Sequence, residues 1–189
     1  MGIEIERKFL VTNTAWRENA TAVHCCQGYL CPGSGVTVRV RTMDEQGFLT
    51  VKGRGAGLAR QEFEYAIPLA DARELLATLC VKPLIIKDRY RVEHAGLVWE
   101  VDVFAGENEG LVLAEVELTQ PDQAVRLPAW VGAEVSGAPR YYKASMVRNP
   151  FSRGPECGTG NRPRPRAPRG VTPVARWRQA PLRFRRGRC

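Results

Sequence analysis

Charged and apolar residues alternate with period two along 3–10. An extended chain therefore sets Ile3, Ile5 and Phe9 on one side and Glu4, Glu6 and Lys8 on the other. One strand of this kind would send its charges to water. The same charged pair at i and i+2 returns, however, in Arg39/Arg41, Glu62/Glu64, Lys87/Arg89, Glu100/Asp102 and Glu115/Glu117, and Lys52 stands alone on a strand of its own. Signs segregate by strand, which random solvent exposure does not explain.

Alternation and turn residues predict seven further strands, over 25–30, 36–42, 48–53, 60–67, 84–93, 97–104 and 111–118. A polar loop or short helix is expected over 12–20, with Thr14 as a candidate cap. Gly53, Gly55 and Gly57 lack the G-K-[ST] and the following helix of a phosphate loop, so they read as a hairpin connection. A helix is expected over 69–80, capped by Asp71, with Leu75, Leu76 and Leu79 on its buried face. A short helix is expected from Thr119, with Pro121 in its first turn, and a last one over 139–148, stopped by Asn149 and Pro150. About eight strands joined mostly by hairpins disfavour a parallel βαβ architecture. They predict a mainly β (α+β) fold, a closed eight-stranded antiparallel barrel with a few packing helices.

Eight strands can enclose side chains or one small ligand. If the charged faces turn inward, the lumen gathers Lys8, Arg39, Arg41, Lys52, Lys87 and Arg89 with Glu4, Glu6, Glu62, Glu64, Glu100, Asp102, Glu115 and Glu117. Burying that many charges unpaired would cost more than a domain's stability. The carboxylates must then meet metals or cations, and the basic residues an anion.

Composition adds a boundary. The chain of 189 residues has a net charge of +8, but 151–189 carries eleven Arg, no Lys and one acidic residue, which leaves 17 basic and 19 acidic residues in 1–150. We expect a domain over 1–150 and an Arg/Pro-rich, disordered tail over 151–189. That tail reads as an anion- or nucleic-acid-binding segment, as solvating sequence, or as an out-of-frame extension; its lack of Lys and of periodicity favours no specific function. Six Cys without a C-x-x-C pair, and no signal-peptide core, point to reduced thiols in the cytoplasm. Two His without a ligand cluster argue against zinc, and no stretch is apolar enough for a spanning helix.

The opening segment Ile3-Glu4-Ile5-Glu6-Arg7-Lys8 resembles the E-x-E-x-K signature of the CYTH superfamily, the triphosphate tunnel metalloenzymes, in the manner of the short bacterial inorganic triphosphatases. The resemblance continues in order through 27–30, 38–41, 49–52, 60–64, 86–90, 99–104, 115–118 and 134–137, and so covers 1 to about 150. It implies metal-dependent hydrolysis of a linear triphosphate, tripolyphosphate first, in a tunnel. Thiamine triphosphatase, class IV adenylyl cyclase and a non-catalytic polyphosphate-binding module are the alternatives. It implies Mg²⁺ or Mn²⁺ on Glu4, Glu6, Glu115 and Glu117, with Glu62, Glu64, Glu100 and Asp102 holding a second metal or positioning water. Phosphate oxygens would be held by Lys8, Arg39, Arg41, Lys52, Lys87 and Arg89. Tyr29 and Lys87 match residues that activate the attacking water, and crowding by Arg39, Arg41 and Lys52 would lower the Lys87 pKa. The expected partner is a small-molecule triphosphate, with no membrane and no nucleic acid beyond the basic tail, and a homodimer is compatible with this. At 140–146 the segment resembles R-Y-Y-N, but Lys143 stands where Asn is usual. This departure bears on helix capping or rim contacts and leaves the tunnel untouched.

Overall fold

The computed structural model describes residues 2–153 apart from Asn19, Gly33, Ser34 and Gly57. The tail from 154 onward, with the expectations made for it and for Cys157 and Cys189, lies outside the described residues. Period-two alternation has become strands: β1 (Gly2–Val11), β2 (Ala22–Pro32), β3 (Thr37–Met43), β4 (Gln46–Ala56), β5 (Ala59–Ile67), β6 (Ile85–His94), β7 (Leu97–Ala105) and β8 (Val112–Glu117). They run antiparallel in the order β5-β4-β3-β2-β6-β7-β8-β1. Pairing of Gly2–Ile5 with residues of β5 closes the barrel. A ninth strand that alternation did not predict, β9 (Val131–Glu134), pairs with the end of β1 and is held there by Arg7, which donates to Glu134 at 2.9 and 2.6 Å.

Gly53 and Gly55 of the predicted glycine-rich connection are strand instead, and Gly57 lies outside the described residues. β4 runs on to Ala56, and its register against β5 shifts between Lys52 and Gly55, so the glycines accommodate an irregularity in the ladder. No helix forms at Thr119 either, because the Gln123 side-chain oxygen accepts from both the amide and the hydroxyl of Thr119 at 2.8 and 2.9 Å and closes a turn there. Within 12–20 a single 3₁₀ turn, Ala15–Arg17, forms without a side-chain cap from Thr14, and it buries Trp16.

Helix α1 (Leu69–Thr78) lies where expected, but Asp71 does not cap it. The cap position is Pro68, and Asp71 falls in the first turn, where its charge suits the helix dipole. Its buried stripe is Ala72, Leu76 and, past its end, Cys80, while Leu79 is 64% exposed. This stripe rests on Val40 outside the barrel. The approach is close enough that a Cβ on Gly28 would sit 2.7 Å from the Cys80 Cβ, and one on Gly47 would sit 2.8 Å from the Ala72 Cβ. The expected helix over 139–148 is divided. A 3₁₀ turn, Pro139–Tyr141, is separated from α2 (Lys143–Arg148) by extended backbone at Tyr142.

Most of the apolar core lies outside the barrel wall. Ile5, Phe9, Trp99, Val101, Ala114 and Val116 face outward and are covered by Trp16, Leu118 and Trp130. A second cluster is inside. Tyr29, Ile85, Phe104 and Leu113 point into one end of the barrel and pack with Met146 and Val147 of α2. The lumen is therefore closed at that end by an apolar plug.

Candidate active site

Strand register decides what the lumen contains. Glu6 opposes Glu117, Lys8 opposes Glu115, Glu100 opposes Glu115, Asp102 opposes Arg89, and Lys52 opposes Glu62. All fourteen charged residues anticipated from alternation fall on the inward face. Most line a cavity of about 470 Å³, together with Ile3, Arg91, Val98 and Lys143. Lys8, Lys87 and Asp102 lie in the layer beneath and are buried.

The deepest carboxylate, Asp102, is 0% exposed. It accepts from Lys87 Nζ, and from Arg89 Nε at 2.7 Å and Arg89 Nη2 at 2.8 Å. Burial works to raise its pKa, but Arg89, Lys87 and Lys143 outweigh burial and hold the group well below the usual carboxylate range. Glu115 is likewise saturated, by Lys8 at 2.7 Å, Arg89 at 3.0 Å and Lys143 at 2.6 Å, and it too is held well below that range despite burial. Lys8 also donates to Glu6, and these two carboxylates overcome burial to raise its pKa.

Lys87 goes the other way. Burial, and then the neighbouring Arg89, push its pKa well below 10.5 against the pull of Asp102. Crowding thus comes from Arg89 and Lys143, rather than from Arg39, Arg41 and Lys52 as the sequence suggested. Tyr29 shares the inward face at the edge of the plug, and burial raises its pKa. Its hydroxyl receives a 3.4 Å hydrogen bond from Gln27 Nε2, and no hydrogen bond joins it to Lys87 among the described residues.

On the opposite wall, Lys52 donates to Glu4 at 2.9 and 2.8 Å and lies 2.9 Å from Glu62. Glu64 accepts from Thr50 at 2.6 Å, Arg41 at 2.7 Å and Arg39 at 3.3 Å. The Nε atoms of Arg39 and Arg41 are buried without a partner among the described residues. Glu117 is the exception among the acids. It has no cation bound to it among the described residues, and burial, Glu4, Glu100 and Glu6 together raise its pKa.

Two inward cations escaped the sequence reading although the signal was present. Arg60 stands two residues before Glu62 and donates to Glu4 at 2.8 Å and Glu6 at 3.3 Å, and Arg91 stands two residues after Arg89 at the open end. Lys143 was assigned to capping or the rim. Its ammonium instead reaches into the lumen from α2, bonded to Glu115 and 3.6 Å from Asp102. Period-two alternation carries no signal for it, because it comes from a helix.

Carboxylates crowd one another at the open end of the lumen. Glu6 and Glu117 are direct cross-strand neighbours, an arrangement that like charges disfavour unless a cation lies between them. Glu4 and Glu100 crowd the same carboxylate. Among the described residues no three His, Cys, Asp or Glu side chains converge as ligands, and Glu4, Glu62, Glu64, Asp102 and Glu115 meet ammonium or guanidinium groups instead.

The CYTH domain profile matches residues 2–145. The chain belongs to the CYTH family. Among CYTH relatives, a protein of Acetivibrio thermocellus named inorganic triphosphatase is 47% identical over 151 residues, 80% of this chain and 97% of the relative. One of the same name from Nitrosomonas europaea is 39% identical over 148 residues, 76% and 96% of the two chains. The crystal structure of an inorganic triphosphatase overlays with a TM-score of 0.58 at 34% identity, covering 78% of this chain and 95% of the other. The closed antiparallel barrel is thus the CYTH fold. Among the described residues, no helix is long and apolar enough to cross a membrane.

Proposed function

We propose that this CYTH protein hydrolyses a linear triphosphate, inorganic tripolyphosphate, in its charged lumen with Mg²⁺ or Mn²⁺. The observation that carries the proposal is one cavity with two kinds of unmet demand. Among the described residues, Arg39 and Arg41 keep buried N–H donors without acceptors, while Glu117 keeps a carboxylate without a cation. A chain of phosphates bound beside a divalent ion satisfies both. Two relatives named inorganic triphosphatase support the choice of substrate.

Glu4, Glu6, Glu100 and Glu117 would hold the metal, which would polarise the phosphoryl group and offset charge on the leaving phosphate. Glu115 was expected among these ligands. It stays among the candidates, since its oxygens lie on Lys8, Arg89 and Lys143 just as those of Glu4 lie on Lys52 and Arg60, while Asp102, Glu62 and Glu64 position basic side chains and water. Lys8, Arg39, Arg41, Lys52, Arg89 and the newly found Arg60 take phosphate oxygens, the arginines through paired N–H donors. Tyr29 and Lys87 orient the attacking water and accept its proton, a role for which the lowered Lys87 pKa suits the amine. Free Cys25, Cys26, Cys31 and Cys80 support a cytoplasmic setting.

Ile3 and Val98 put exposed apolar side chains at the mouth, so thiamine triphosphate belongs in the test panel. The experiment is phosphate release from tripolyphosphate, with Mg²⁺ and with EDTA, by wild type and Glu6→Gln. Metal-dependent release that Glu6→Gln abolishes without unfolding is expected. Wild-type rates from Glu6→Gln at limiting Mg²⁺ would place the metal elsewhere, and tight binding without release would make the protein a polyphosphate-binding module.

A further inference from the structure

Arg39, Thr50 and Glu64 are direct cross-strand neighbours on β3, β4 and β5, and their side chains meet on the inward face. Between a base and an acid, Thr50 is neutral, and it is 0% exposed. Its hydroxyl donates to Glu64 Oε2 at 2.6 Å and accepts from Arg39 Nη2 at 3.1 Å. A hydroxyl suits this place because it donates and accepts at once. A lysine here would repel Arg39, a carboxylate would repel Glu64, and a valine of nearly the same shape could bond to neither.

The consequence falls on Arg39. Glu64 gives Oε1 to Arg41 at 2.7 Å and Oε2 to Thr50, so its contact with Arg39 stays long at 3.3 Å, and Glu62 lies 3.5 Å away. The guanidinium is anchored through Nη2 alone, by the hydroxyl and the two carboxylates, while its Nε has no partner among the described residues. Arg39 is 6% exposed and lines the cavity, so this N–H is shielded from bulk water and left for whatever enters the lumen.

We propose that Thr50 is a positioning residue for the substrate: its hydroxyl, spent between Glu64 and Arg39, keeps Arg39 from closing onto Glu64 and holds the Nε–H ready for an anion. This inference rests on the triphosphate reading above, in which Arg39 takes a phosphate oxygen. Without the hydroxyl, Glu64 Oε2 loses its nearest donor and Arg39 moves onto it, forming an ion pair that the substrate must then break. That cost is the same for bound substrate and transition state, so it falls on KM rather than on kcat.

The test uses the full chain as wild type, Thr50→Val, Thr50→Ser, Arg39→Met and the double variant Thr50→Val/Arg39→Met. KM and kcat for tripolyphosphate are measured with Mg²⁺, binding by calorimetry in EDTA, and folding by thermal melting. Thr50→Val should raise KM about 10-fold, the scale of one hydrogen bond to a charged group, with kcat within about twofold of wild type. Affinity should fall in step. Thr50→Ser keeps the hydroxyl and should bring KM and affinity back near wild type even where its lost methyl lowers the melting temperature, which a merely structural role for Thr50 would not allow. In the Arg39→Met background, Thr50→Val should have little further effect, because the group it positions is gone. Wild-type KM and affinity from folded Thr50→Val overturn the proposal, as does an equal rise in KM on both backgrounds or a fall in kcat at constant KM. If Thr50→Val does not fold, Thr50→Ala decides on the same criteria. A wild type that neither binds nor cleaves tripolyphosphate sinks the triphosphatase reading itself, and a wild-type KM from Arg39→Met removes Arg39 from the binding set; this inference falls with either.

Discussion

Replacing Asp102 by Asn removes one charge from the least exposed part of the lumen and leaves the shape of the side chain nearly unchanged. In the folded protein that charge answers Lys87 and both donors of Arg89, with Lys143 at 3.6 Å. Removing one partner from a buried ion pair costs about 3–5 kcal/mol, since the other charges stay buried. At ~2–4 °C per kcal/mol for a domain of this size, the melting temperature should fall by ~6–20 °C. The Asp102 carboxyl lies below its ordinary value of 3.8, so its stabilising contribution is complete above that pH and is lost only as pH falls through the lower folded value. The gap between wild type and Asp102→Asn should then be constant from about pH 5 to pH 8. Tripolyphosphate in EDTA should narrow it, because the anion supplies the missing charge. The assay is thermal melting followed by circular dichroism, with and without tripolyphosphate. A variant that melts within ~2 °C of wild type, where a loss of one kcal/mol or less would be read, would refute the argument. So would tripolyphosphate stabilising the variant less than wild type.

Tyr29→Phe and Lys87→Ala should each lower kcat more than they raise KM, by ~10²–10⁴ if they remove general base catalysis, with the double variant little worse than the poorer single. If both raise KM at constant kcat, Lys87 is another phosphate ligand. Because the folded Lys87 pKa is below 10.5, the folded chain binds fewer protons than the unfolded chain between the two values, and stability from this group rises with pH over that window. Chemical denaturation of Lys87→Met against pH should lack that rise; parallel curves for the two proteins contradict it. Met146→Ala, at a position 1% exposed in the plug, should cost about 2–5 kcal/mol by denaturant titration, and a loss under ~0.5 kcal/mol would mean that the plug is loosely packed.

The barrel and most of its lumen were legible because strand geometry converts a period of two directly into a face. Glu4, Glu6 and Lys8 turned inward together for the same reason as Lys87 and Arg89. What stayed hidden depends on contacts that no local pattern encodes. Lys143 reaches the lumen through the packing of a six-residue helix, and β9 is a four-residue strand visible only by its pairing with the end of β1. The stripe of α1 was misread because the bulkiest residues were taken for the buried ones. The barrel wall is instead so close, at Gly28 and Gly47, that Ala72 and Cys80 face it and Leu79 is left outside. Arg60 and Arg91 were readable by the same spacing as their neighbours. Register also showed that Glu115, grouped with Glu117 by sequence, lies among cations, whereas Glu117 faces other acids.

The most direct measurement is a comparison of kcat/KM for phosphate release with Mg²⁺ from tripolyphosphate, thiamine triphosphate and ATP, with cyclic AMP assayed in parallel. A narrow, inwardly charged lumen closed at one end predicts the highest value for tripolyphosphate and no cyclic product. A higher value for either organic triphosphate, or formation of cyclic AMP, would contradict it.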